Sequence, residues 1–337
     1  MNKKRTFQKE GNGSAARRIE LVPAADLAAF MRGWQTVSAA FGYDGRVYIL
    51  LVDAEPEREQ GMFVRTELER RPIYKALIVD LPDDDAKSQA GRESEAADVE
   101  EIMIEGESFN YHFLQPLGGE LLLVGARSRY AARDRYDLNA AVFDREGRAK
   151  RRFVIGDGIG HVQTTAGGLI WTGFFDEGVF GNYGWKRPIG ESGLIAWDGN
   201  GICVFTNSEA DIADCYALNA VSDEEVWFYY YTDFKLCRLA GPADRPEVSF
   251  FDPGVAGSSL LATDGELFLL DGGYGEHESY KLLRRSGGGG LEPEYDLMFA
   301  DQAGLPLPPG LRDARGDKLL MLNGTELYLF SLKKIER

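Results

Sequence analysis

The chain has three histidines in 337 residues: His112, His161 and His277. Imidazole exchanges protons near neutral pH and is the commonest neutral metal ligand. Carboxylates that could work with them are Asp176, Glu177, Asp214, Asp233 and Glu276. Imidazole with carboxylate suits Zn, Mn, Fe or Ni, and a metal held this way polarises a carbonyl or activates water. His112, His161, Asp214 and His277 are then the candidate ligands, and a divalent metal the candidate cofactor. The competing reading makes His112 and His161 hydrogen-bonded structural residues without a ligand. No HxH or HExxH spacing argues against it.

Other chemistry has less to stand on. There is no GxSxG nucleophile elbow and no P-loop. Gly156-Asp157-Gly158-Ile159-Gly160 lacks the strand-to-helix setting of a dinucleotide loop and reads as a turn. Cys203, Cys215 and Cys237 form no CxxC pair, and each sits in a strand-like run, which suits buried small hydrophobes.

The elements that must position these residues come from one phrase repeated six times: a Gly/Asp-type turn followed by a short apolar strand. It occurs at Tyr43–Ile49, Gly118–Leu123, Gly167–Trp171, Asp223–Phe228, Asp264–Leu269 and Gly316–Met321. Spacings of roughly forty to seventy residues between strand-and-turn phrases predict a β-propeller. The fold class is all-β: six blades of four antiparallel strands, A inside to D outside, with the phrase at the A–B turn and strand B. The blades span about 35–106, 107–157, 158–210, 211–254, 255–305 and 306–337. The last has room for three strands only. Arg18–Val22, which alternates apolar and polar, is expected to supply the fourth and close the ring. Pro23 through Trp34 reads as a short helix.

Residues 18–337 therefore form one propeller domain, preceded by a flexible segment, 1–17. The acidic, Ser/Ala-rich stretch 82–99 reads as a flexible loop. Gly287–Gly290 marks a second C–D loop in blade 5.

Propeller geometry gathers the B–C loops and the starts of the A strands on one face, and the B–C loops here are long. Function concentrates on such loops. Aligned on strand B, His112 lies ten residues before Leu122, His161 ten before Trp171, and Ser258 ten before Phe268. Asp214 precedes Trp227 by thirteen across a longer A–B turn. This register puts all four around the mouth of the central channel. The aromatic B–C loops add an apolar wall, with Tyr183, Trp185, Tyr229 and Tyr274 as contacts. The expected ligand-binding set is His112, His161, Asp176, Glu177, Tyr183, Trp185, Asp214, Tyr229, Asp233 and Tyr274. Phe228, Tyr230 and Phe234 read as packing between blades.

A net charge of −16 repels phosphate backbones and anionic lipid, which excludes nucleic-acid and membrane partners. The basic start Met1–Arg5 is not followed by a signal-peptide apolar run, so a cytoplasmic protein is expected.

Leu169–Val179, followed by Gly193–Asp198, resembles the repeat of two-component-regulator-type propellers, an "IWVGT…GGL…FD" phrase. The chain as a whole is similar to the broader group with NHL repeats, gluconolactonase-like propellers and streptogramin lyases. The resemblance implies a propeller. It leaves activity open, because that group contains sensors, binding modules and metal-dependent enzymes. Gluconolactonase-like enzymes hold a divalent cation with Glu, Asn and Asp on the channel axis. Asn219 and Asp233 lie in a loosely similar stretch, and the channel histidines depart from that pattern.

Three functions follow as expectations. The first is binding of a small molecule or peptide segment at the channel mouth. The second is a metal-dependent hydrolase or lyase using the His and Asp residues. The third is a protein-interaction scaffold.

Overall fold

The computed structural model describes residues 16–335 except 55, 57, 60–62 and 82–96. Residues 1–15 and 82–96 make up most of the two segments expected to be flexible, so those expectations lie outside the described residues.

The repeated phrases become the second strand of each blade: Val47–Val52, Glu120–Val124, Ile170–Phe174, Glu225–Tyr231, Leu267–Asp271 and Lys318–Asn323. Their apolar side chains are buried on both faces, because each sheet is sandwiched between two others. Outer strands alternate instead. In Asp98–Ile104 only Ile102 and Ile104 are buried. The tight A–B turns use left-handed glycines where needed, Gly168 at φ +86° in blade 3 and Gly265 at φ +87° in blade 5.

Six blades of four antiparallel strands result, and their cores lie between them. Tyr48 and Leu50 of blade 1 pack with Leu121 and Leu123 of blade 2. Matching clusters join blades 2 and 3, 3 and 4, 4 and 5, and 5 and 6. A sixth joins Leu320 and Leu322 of blade 6 to Val47 and Ile49 of blade 1. The chain is a closed six-bladed β-propeller.

The N-terminal segment does close the ring, but through the strand that follows Arg18–Val22 rather than through Arg18–Val22 itself. Ala25–Asp26 is the fourth strand of blade 6, antiparallel to Glu326–Ser331, with Ala25 opposite Leu327. Arg17–Glu20 lies parallel to Leu291–Ala300 as a fifth strand on blade 5. The Asp26 carboxylate anchors the closing strand, accepting from the Ala28 N–H (3.0 Å) and the Thr325 hydroxyl (2.9 Å). Of the helix expected over Pro23–Trp34, one turn forms, Ala28–Met31, with Pro23 outside it.

Among the described residues no helix is long and apolar enough to cross a membrane.

Candidate functional site

The inner strands of the six blades are Gln35–Phe41, Phe113–Leu117, Ile159–Thr164, Asp214–Ala220, Leu261–Thr263 and Leu311–Arg315. Their first residues face the long-loop side and their last face the A–B turns. Near the A–B turns the axis is crossed by polar side chains. Gln163 of blade 3 donates to the Ala314 carbonyl of blade 6 (3.0 Å) and accepts from the Ala220 N–H (2.7 Å). Arg315 donates to the Thr164 carbonyl. Asn219 donates to the carbonyls of Leu261 (2.9 Å) and Gly316 (3.0 Å). The Gln163 and Arg315 bonds tie the opposite blades 3 and 6 across that end of the axis, and Asn219 joins blade 4 to blades 5 and 6.

At that face three inner strands carry a β-bulge near their start, in blades 1, 3 and 4. A bulge adds one unpaired residue and re-aims the side chains around it. In blade 3 the extra residue is Gly160, next to His161. In blade 4 it is Tyr216, two residues after Asp214.

Both histidines are neutral and held. His112 immediately precedes its inner strand, and its Nδ1 accepts the Ala126 N–H (3.1 Å). That places the proton of the neutral ring on Nε2. Burial, the largest cause, pushes its pKa down to about 4. His161 lies in its strand, and burial likewise takes it to about 4, against the opposing pull of the Tyr216 and Cys215 carbonyls.

Asp214 is the first residue of the blade 4 inner strand. Burial, and then the charge of Asp176, raise it to about 6. Asp176 is exposed at the start of the short helix Asp176–Phe180, where its Oδ1 accepts the Glu177 N–H (2.7 Å). Beside Asp214, the Tyr216 hydroxyl is 2.5 Å from that of Tyr274, which is 59% exposed. Burial first, then Tyr274 and Asp214 among other charges, raise the Tyr216 phenol. Tyr216 also stacks with Tyr231 at 6.3 Å and packs against Phe234. The mouth thus combines a half-buried carboxylate, a second carboxylate nearby and an exposed tyrosine surface.

Other expected residues belong elsewhere. Glu177 pairs with Arg127 (2.5 Å), whose guanidinium also grips the buried Asp157 through two bonds of 2.9 and 3.0 Å. The Tyr183 ring lies 4.1 Å from the same guanidinium. Trp185 donates to the Ser128 carbonyl (2.7 Å) and packs on Tyr130 and Tyr136. This group joins blades 2 and 3, with one guanidinium shared between two carboxylates. Asp233 makes a loose pair with Lys235 (3.7 Å). Tyr229 is fully buried, its hydroxyl donating to Val255 O (2.6 Å) and accepting from Gly257 N–H (3.0 Å). It is packing, not exposed wall. Ser258 is also fully buried, three residues before its inner strand, and donates to Leu260 O (3.0 Å) rather than facing the mouth.

His277 sits in the blade 5 loop, Nδ1 3.2 Å from Oδ1 of the buried Asp271. Asp271 also takes the Ser259 hydroxyl (2.8 Å) and Arg312 (2.5 Å), which links blades 5 and 6. Among the described residues no three His, Cys, Asp or Glu side chains are grouped to hold a metal ion. His112, His161, Asp214 and His277 are therefore not assembled as a ligand set.

Sequence reasoning missed Arg127, Tyr216, Asp271 and Arg312. The only signal for Tyr216 is its place two residues after Asp214.

No protein-family model and no curated protein matches the chain. Among solved structures the fold is similar to a streptogramin B lyase (TM-score 0.44, 11% identity, covering 89% of this chain and 84% of that one). It is similar too to the virginiamycin B lyase of Staphylococcus aureus (TM-score 0.42, 12% identity, 94% and 89%). A third is a luciferin-regenerating enzyme (TM-score 0.44, 12% identity, 92% and 96%). None of them bears on what this chain does.

Proposed function

We propose that this propeller binds a small molecule or peptide segment at the channel mouth, with Asp214 recognising a cationic or hydrogen-bond-donating group. One observation carries the reading. Asp214 is half-buried there and forms no ion pair with another described residue, while Asp176 adds like charge. A carboxylate held in this way is costly to the fold and gains most from a ligand that brings the missing partner. Tyr216 and Tyr274 supply apolar surface and hydroxyls beside it. The neutral His112 and His161 add no positive charge to oppose a cation. The three thiols are free, with Cys203 exposed, which suits a reducing, cytoplasmic setting.

The test is a thermal-shift screen of amine- and guanidine-bearing metabolites and short peptides at pH 7.5. A ligand at a hundred times its Kd stabilises the fold by about 2.7 kcal/mol. Hits that shift the parent but not Asp214→Asn support the reading. Hits that shift both equally remove Asp214 from the site.

A second reading, acid–base catalysis, draws on the same carboxyl, since a value of about 6 suits proton transfer near neutral pH. It requires turnover of a bound ligand with a pH profile that breaks near 6 and is lost in Asp214→Asn.

A further inference from the structure

The same face carries a cleft of about 620 Å³ away from the mouth, at the junction of blades 3 and 4. Its volume is within the usual range for ligand sites, about 300–1,000 Å³. One wall carries Phe180, Lys186 and Arg187 from the blade 3 loop; Glu191, Glu209 and Asp211 also line the cleft. None of the residues expected from the sequence to bind ligand is among its lining residues.

Two features mark it as built for an occupant. The first is charge. Five ionised side chains of both signs share one cleft, yet none forms an ion pair with another described residue. All five are exposed to solvent, with the basic pair Lys186 and Arg187 on one segment and the acidic pair Glu209 and Asp211 on the other, so a ligand of complementary charge can replace water at each. The second is rigidity. The buried Asn207 side chain donates to Ser192 O (2.9 Å) and Ala210 O (2.7 Å) and accepts from the N–H groups of Glu209 (3.3 Å) and Ala210 (3.0 Å). Four bonds from one amide tie the backbone on two sides of the cleft, so its frame is set before a ligand arrives. Phe180, on the wall that carries Lys186 and Arg187, is 71% exposed and offers an apolar contact.

From this we infer that the cleft is a second binding site, separate from the channel mouth, for an extended peptide segment carrying an acidic and a basic side chain on either side of an apolar one. The acidic group faces Lys186 and Arg187, the basic group Glu209 and Asp211, and the apolar one Phe180. A purely cationic segment meets the two basic residues, and a purely anionic one meets three carboxylates and a net charge of −16.

The experiment measures fluorescence anisotropy with labelled, end-blocked pentapeptides. The probes are Asp-Gly-Leu-Gly-Lys, its reverse order, and the counterparts with Asn and Gln in place of the charged residues. One charged order is expected to bind about tenfold or more tighter than its neutral counterpart at low salt, with the advantage shrinking as salt rises. Arg187→Glu is expected to lose that advantage, and a peptide with Lys in place of its Asp to restore it. The proposal is overturned if charged and neutral peptides bind alike. It is also overturned if Arg187→Glu and Asp211→Lys, both with unchanged melting temperature, bind the charged peptide as tightly as the parent.

Discussion

Gln163 on blade 3 and Ala314 on blade 6 are joined by a 3.0 Å hydrogen bond across the channel axis, between strands 151 residues apart in sequence. The same side chain accepts from Ala220 on blade 4. One amide therefore braces three blades where their inner strands converge. Gln163→Leu keeps the volume but leaves the Ala220 N–H and the Ala314 carbonyl unpaired in a buried site, at about 1–3 kcal/mol for each. Denaturant unfolding should show a lower midpoint with an unchanged slope. A midpoint equal to the parent's would mean that water replaces the amide and that the axis is open at this end.

Asp214 gives the fold a distinctive pH response. Its carboxyl is raised from 3.8 to about 6, by burial first and by Asp176 second. A raised carboxyl binds a proton in the folded state that the unfolded state has released. Its stabilising effect is therefore full below about pH 4 and is lost as pH rises through 6. Asp313, raised to about 6 by burial, acts in the same direction. Asp214→Asn removes one of the two. Calorimetry should find it melting above the parent at pH 8, by roughly 1–3 °C for a partly solvated group, and no higher at pH 4. Equal melting at pH 8 would mean that the carboxylate is well solvated and not poised for a ligand.

The two histidines act in the opposite direction. Each is lowered from 6.5 to about 4 by burial. Their neutral forms belong to the fold, so their contribution is intact above about pH 6.5 and is lost as pH falls toward 4. Nitrogen-15 correlated NMR at pH 6 should show both rings neutral, His112 with its proton on Nε2. A ring that titrates near 6.5 would contradict this, and would make that histidine free to carry charge toward a ligand.

The blade plan is legible in the sequence because the second strand of each blade is buried on both faces, so it must be apolar throughout. Counting back from those strands brings Asp214 to the start of its inner strand and His112 and His161 beside the starts of theirs, but it misplaces Ser258, three residues before its strand. The side-chain directions there are not legible. Gly160 and Tyr216 are bulge residues, and one extra residue reverses which face every later side chain points to. Tyr216, the hydroxyl partner of Tyr274, is hidden for that reason. Arg127 is hidden for another: its partner Asp157 is thirty residues away and no local pattern links them. Arg18–Val22 reads as a strand, and a strand forms there over Arg17–Glu20. Its alternation cannot say which open sheet edge it joins, because any edge offers the same backbone groups.

That last ambiguity can be settled by two substitutions. Leu27 follows the closing strand Ala25–Asp26 directly and is 1% exposed in the core between blades 6 and 1. Ile19 is on the outer strand of blade 5 and is only partly buried against the core of blades 5 and 6. Truncating a fully buried leucine costs about 2–5 kcal/mol, from lost transfer energy plus the cavity left behind. A partly buried isoleucine loses less area and leaves a site that water can fill, so about 1 kcal/mol is expected. Leu27→Ala should therefore lower the denaturant midpoint well below that of Ile19→Ala, since it opens the core between blades 6 and 1 behind the closing strand. The reverse order would place closure on the parallel outer strand, with Ala25–Asp26 as a dispensable addition to blade 6.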